Sequence, residues 1–218
     1  MSQQIVPRGY GGLCLGISFP LNYFASADPA NEKAGFANTG FRLCMPFAYL
    51  LEENIGIGGI LFTQKNPVAL KEVKTQLSLP SNTDLSSIPW SADGILAGIY
   101  FSFPLDTATG IFLDIKLMGG IITAQLPVLF VNAVYYSRGY YYTYVASTKS
   151  ASVTSFAYAI DAGTRFRLSN KIALLINCNY FSSTPEFKDI PVSQPRKDTY
   201  RQPMSTLNVD AGLAYLLK

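Results

Sequence analysis

The chain has 218 residues, a net charge of +3, 49% apolar residues and only 14% charged ones. Soluble domains carry roughly 25% charge, yet no stretch here approaches the ~18–20 unbroken apolar residues that a membrane helix needs. That leaves an all-β soluble fold or a membrane barrel, and the lack of a long basic run argues against nucleic acid as a partner.

Strands are predicted from period-two alternation. The first, near 10–19, sets Leu13, Leu15, Ile17 and Phe19 against Gly12, Cys14, Gly16 and Ser18. The second, near 39–51, sets Phe41, Leu43, Met45, Phe47, Tyr49 and Leu51 against Arg42, Cys44, Pro46 and Ala48. The third, near 55–62, is weaker, and Gly56, Gly58 and Gly59 suggest a bulge. The fourth, near 94–105, sets Ile95, Ala97, Ile99, Phe101, Phe103 and Leu105 against Leu96, Gly98, Tyr100 and Ser102. The fifth, near 111–124, sets Ile111, Leu113, Ile115 and Leu117 against Phe112, Asp114, Lys116 and Met118. The sixth, near 153–168, carries Asp161, Arg165 and Arg167 on its small-residue phase. The seventh and eighth, near 171–181 and 205–217, alternate in the same way, with Asp210 off the apolar phase.

All seven charges in these strands share the non-apolar phase: Arg42, Asp114, Lys116, Asp161, Arg165, Arg167 and Asp210. One face is therefore uncharged over eight strands, and the other is polar and rich in small residues. Lipid suits the first, since a charge there costs ~2–4 kcal/mol at the midplane. The crowded interior of a narrow barrel suits the second. Near balance of the inward charges predicts an ion-pair network filling the lumen, because isolated buried charges are very costly. A charge-lined pore is the functional alternative. A soluble carrier barrel fits only if inside and outside are reversed.

Connections alternate long (20–38, 63–93, about 125–152, 182–205) and short (Glu52 to Asn54, Asp106 to Gly110, Ser169 to Lys171). Outer-membrane barrels have short periplasmic turns and long outer loops. An even strand number then puts both termini on the periplasmic side. The expectation is one all-β domain over 1–218: an eight-stranded antiparallel up-and-down transmembrane barrel. The opening MSQQIVPRGYGG has no apolar leader region, so a leader is expected to have been removed. Tyr10, Phe19, Phe103, Phe166, Tyr180 and Tyr215 lie near strand ends, where interface girdles occur.

The segments FLDIKLMGG, SFAYAIDAGTRFRLSNKIAL and NVDAGLAYLL resemble the small bacterial outer-membrane β-barrel superfamily. That superfamily includes OmpX-like, OmpA-barrel-like and OmpW-like proteins, and the style is similar to Bacteroidetes-type members. The terminal strand matches the family's assembly signal, with Asp210, Gly212, Tyr215 and Leu217 in its places and Lys218 after them instead of a final aromatic. The resemblance implies recognition of this strand by the barrel-assembly machinery.

There is no His in the chain, so the commonest general base and metal ligand is missing. The outer-membrane hydrolase and acyltransferase families use one, and the reading is non-enzymatic, with no cofactor or metal expected. Three cysteines do not make a disulfide scaffold in a chain this long. Cys14 and Cys44 share the inward phase, and a register pairing Phe19 with Thr39 sets them side by side. They are either a cross-strand disulfide or two small space-fillers; Cys178 faces lipid.

The third long loop holds Tyr135, Tyr136, Tyr140, Tyr141, Tyr142 and Tyr144. Tyrosine is common at binding surfaces, although VLFVNAVYYS also reads as strand extension. The second loop carries Trp90 and VALKEVKTQLSL, one amphipathic helical turn. The fourth is Pro-rich and reads as irregular, and its Arg196, Lys197 and Arg201 offer charge to lipopolysaccharide phosphates. The functional expectation is a structural or binding protein of the outer membrane, an accessory subunit presenting loops to other outer-membrane proteins. The alternative is a narrow channel for small or hydrophobic solutes, as OmpW-like resemblance suggests.

Overall fold

The computed structural model describes residues 8–28, 30–80, 83–106, 109–137, 140–188 and 199–217, with backbone alone for 134–137 and 140–144. Strands β1 (Gly9–Leu21), β2 (Gly40–Leu50) and β3 (Ile55–Asn66) open the chain. Helix α1 (Asn22–Ala25) lies between the first two, and helix α2 (Leu70–Gln76) follows the third. Then come β4 (Asp84–Ile88), β5 (Trp90–Asp106), β6 (Ile111–Gln125), β7 (Val128–Ser137), β8 (Tyr140–Ser147) and β9 (Ser152–Arg167). The chain closes with β10 (Ile172–Ser183), β11 (Glu186–Lys188), β12 (Thr199–Arg201) and β13 (Met204–Leu217).

Eight strands, β1-β2-β3-β5-β6-β9-β10-β13, form a closed antiparallel barrel, with the last strand paired to the first. Closure leaves no unpaired edge, the condition lipid imposes on a sheet. The register runs from Gly9 opposite Leu217 at the short-turn end to Leu21 opposite Ser205 at the long-loop end.

Alternation decides what each face meets. The outer wall exposes Leu13, Leu15 and Ile17 on β1, Ile95 and Ile99 on β5, and Val209 and Leu213 on β13. Water would not tolerate a continuous apolar belt of this size on a monomer. From Ile95 to Leu105 the belt on β5 spans about 26 Å along the barrel axis at ~3.4 Å per residue and ~40° of tilt, which matches the ~25 Å apolar band of membrane barrels. Arg42, Asp114, Lys116, Asp161, Arg165 and Asp210 are all buried inside, which excludes the reversed arrangement.

Three details differ from the sequence reading. Strand β3 continues to Asn66 and β5 starts at Trp90, so two charges, Lys65 and Asp93, do fall on the outward phase. They lie beyond the apolar belt, in the extension of the barrel toward the long loops. The β3 ladders run in unbroken register, and the irregularity falls instead between Pro104 and Asp106 of β5. Proline there has no N–H to give the ladder. Tyr10, expected at the lipid interface, is buried inside the barrel; the even phase of Gly12 and Cys14 extends back to it.

Candidate functional site

The lumen of the barrel is filled in layers. Nearest the short turns, β5, β6 and β9 bring Tyr100, Ser102, Asp114 and Arg165 together. Arg165 grips Asp114 through Nε to Oδ2 at 2.9 Å and NH2 to Oδ1 at 3.3 Å. Tyr100 and Ser102 donate their hydroxyls to Asp114 Oδ1 at 2.8 and 2.7 Å. The two-point geometry and the extra donors are what a buried ion pair needs to offset its desolvation. Aromatic faces cover the cation: Phe112 at 4.5 Å and Tyr10 at 5.3 Å from the guanidinium carbon. Tyr10 stands edge-on to Tyr100. One step along, Lys116 Nζ donates to Asp161 Oδ1 at 2.9 Å.

The middle layer is looser. Arg42 and Asp210 lie on either side of Gly16, whose register pairs it with both. A Cβ at Gly16 would meet the backbone oxygen of Val209 at 2.6 Å, so this close approach requires glycine. The ion pair is 3.9 Å long. Arg42 NH1 donates to Asn179 Oδ1 at 2.7 Å, and its guanidinium lies 4.6 Å from the Phe62 ring centre. Arg42 Nε and NH2, both Asp210 oxygens, Asn179 Nδ2 and Asn208 Oδ1 make no hydrogen bond within the protein.

The long-loop end is capped. The chain after β1 folds back over the mouth and buries Phe24 edge-on to Trp90, with ring centres 5.6 Å apart. Trp90 donates its indole N–H to Gly35 O at 2.8 Å. Val73 of α2, with Ala37 and Val68, completes the apolar layer. A single bridge pairs Ala37 with Val68. Below it, Asn66 donates to Asn38 O at 3.0 Å and receives Gln64 Nε2 at 2.9 Å. The fourth loop reaches across as well, since Gln202 Nε2 donates to Lys33 O at 3.0 Å. Tyr200 donates to Gln202 Oε1, and burial pushes the Tyr200 phenol up to about 12.

Six of the seven expected interior charges meet in these layers. Arg167 does not: it lies half-buried at the short-turn rim, against Gly110. Of the assembly-signal residues, Asp210 faces the lumen, whereas Tyr215 and Leu217 face lipid. Gly212 has a packing reason, since a Cβ there would meet Leu13 O at 2.0 Å and Cys14 Sγ at 2.7 Å. The alternation places Asn179 and Asn208 on the inward phase, but they were not counted with the interior charges. Gln64, Asn66 and Phe24 were missed, the first two because β3 runs past the expected end near 62 to Asn66.

Beyond the barrel, β4, β7 and β8 form a separate three-stranded sheet. The third long loop is therefore a hairpin. Its register pairs Tyr135 with Tyr142, Tyr136 with Tyr141, Ser137 with Tyr140 and Ala133 with Tyr144. Trp90 is not in the second loop but starts β5. The fourth loop, read as irregular, contains the short β11–β12 hairpin, where Arg201 pairs with Glu186 at 2.6 Å. Arg196 and Lys197 lie outside the described residues. Among the described residues no group of three or more Cys, Asp or Glu gathers as a metal site.

A closed eight-stranded barrel with an apolar wall and an ion-paired lumen is a transmembrane β-barrel of the outer-membrane kind. No family model matches the chain, and no curated protein matches it in sequence. Solved structures do resemble it. The attachment invasion locus protein Ail of Yersinia pestis aligns at 14% identity and a TM-score of 0.46, covering 95% of this chain and 99% of that one. Neisserial surface protein A aligns at 12% identity and a TM-score of 0.45, covering 96% and 97%. A major outer membrane protein from Thermus thermophilus aligns at 8% identity and a TM-score of 0.48, covering 95% and 98%. These are likenesses of fold.

Proposed function

We propose that this protein is a closed, non-enzymatic outer-membrane barrel that works by presenting its long-loop end to a partner, as an accessory subunit of an outer-membrane assembly. The observation that carries the reading is the filled lumen: ion-paired layers below and the Phe24–Trp90 cap above. An eight-stranded barrel has room for little more than its own side chains. What remains for function is the outside. The β4–β7–β8 sheet rises from the mouth and carries the tyrosine-rich hairpin, and tyrosine gives large contact area at low entropic cost.

In this reading residues 1–218 are one domain with both termini in the periplasm. Tyr135, Tyr136, Tyr140, Tyr141, Tyr142 and Tyr144 form the partner surface. Arg196 and Lys197 offer charge to lipopolysaccharide, and Asp210, Gly212, Tyr215 and Leu217 are read by the assembly machinery. The test is co-purification from native membranes in mild detergent. A stoichiometric partner should come down with the wild type and be lost from Tyr140→Ser/Tyr141→Ser/Tyr142→Ser, while the variant still shows the gel shift of a folded barrel. Retained capture by that variant places the contact elsewhere. A barrel that comes down alone and gives unitary currents in planar bilayers favours the narrow-channel reading.

A further inference from the structure

We propose that Cys14 and Cys44 are joined in the mature protein by a disulfide that staples β1 to β2 beside the closing seam of the barrel. The two residues are directly opposed in the antiparallel ladder, with Gly16 opposite Arg42 and Ser18 opposite Gly40 in the same register. Opposed antiparallel residues have Cα atoms about 4.5–5.5 Å apart, inside the roughly 4.4–6.8 Å window of disulfides. The register therefore brings the two Cα atoms, both carrying free thiols in the structure, within bridging range. Both side chains face the lumen and are 1% exposed. Gly212 on β13 is opposite Cys14 and leaves the space that the sulfur occupies. The third thiol does not compete, because Cys178 lies on the lipid-facing phase of β10 and is exposed.

The chemistry is thiol–disulfide exchange. A periplasmic thiol oxidase carrying a reactive disulfide is the oxidant. Cys14 or Cys44 attacks it as a thiolate, a mixed disulfide forms, and the second cysteine displaces the oxidase. The Cys14 Sγ–Cys44 Sγ bond replaces two S–H bonds, and the two electrons and two protons leave on the oxidase as a dithiol. Both sulfurs are buried once the barrel closes, so the exchange belongs to the unfolded chain in the oxidising periplasm. The bond then holds β1 in register with β2 while β13 docks on its other side.

The test uses the protein secreted to the outer membrane of a Gram-negative host. Membranes are dissolved in denaturant with excess iodoacetamide and no reductant, followed by intact mass and peptide mapping. One adduct, on Cys178, together with a linked Cys14–Cys44 peptide and a mass short by two hydrogens, is the expected result. Cys44→Ser should take two adducts, and a host without its periplasmic thiol oxidase should yield three on the wild type. Three adducts from the oxidising host, or a bridge that includes Cys178, overturn the proposal.

Discussion

At the residue scale, the two arginine–aspartate pairs in the lumen have the same charge sum and opposite prospects. Asp114 accepts from Arg165, Tyr100 and Ser102, so truncating it leaves the buried guanidinium without its counter-charge, held only by the two hydroxyls. Asp114→Ala is expected to lose about 3–5 kcal/mol, read from urea unfolding in detergent micelles. Asp210 touches Arg42 at 3.9 Å without a hydrogen bond. Here the joint replacement Arg42→Met with Asp210→Leu removes two poorly compensated charges. It is expected to be neutral or to stabilise by up to about 4 kcal/mol in the same assay; a loss as large as that of Asp114→Ala would show that the middle layer is tighter than its geometry. Alternation made the inward charges legible in the sequence, because burial phase is a local property. Their pairing was not, because Arg165 and Asp114 are 51 residues apart and meet only through the register of β6 with β9. The opposition of Cys14 and Cys44 was legible, since a single hairpin register fixes it.

At the element scale, the lipid belt sets where a strand can change. On β13, Leu213 is exposed in the middle of the wall. Leu213→Arg should cost ~2–4 kcal/mol near the midplane, whereas Lys65→Glu, beyond the belt on β3, should leave unfolding unchanged in the same micelle titration. This also explains the short reading of β3 and β5. Thr63, Lys65, Ser91 and Asp93 end the apolar pattern, but the backbone ladder continues above the membrane through Asn66 and Trp90. The pattern reports the solvent and the ladder reports the strand, and they part at the interface. The fourth loop has a pH signature of its own. Tyr200 ionises near 10 when unfolded and is pushed up to about 12 in the folded loop. Its half-buried neutral form therefore contributes stability in full below pH 10 and loses it as pH rises toward 12. Limited proteolysis of the fourth loop should quicken across that window, and Tyr200→Phe should flatten the dependence.

At the scale of the whole molecule, the barrel itself was legible because strand count, phase and loop lengths all follow from patterns along the chain. The cap was not, because it is assembled from three separate connections: Phe24 from the first, α2 and Trp90 around the second, and Gln202 from the fourth. Only α2, inside the amphipathic VALKEVKTQLSL, had a period to read; Phe24, Trp90 and Gln202 had none, and they meet only in the folded cap. The cap and the ionic layers close the lumen in series, which makes a sharp prediction. Trp90→Ala removes the indole that packs on Phe24 and bonds Gly35 O, so it should lower stability by about 3–5 kcal/mol. It should still give no unitary current in planar bilayers, since Arg165–Asp114, Lys116–Asp161 and Arg42–Asp210 remain beneath. Steady currents from Trp90→Ala alone would mean that the cap is the gate and the ionic layers conduct, and the role of the barrel would move from its outer sheet to its interior.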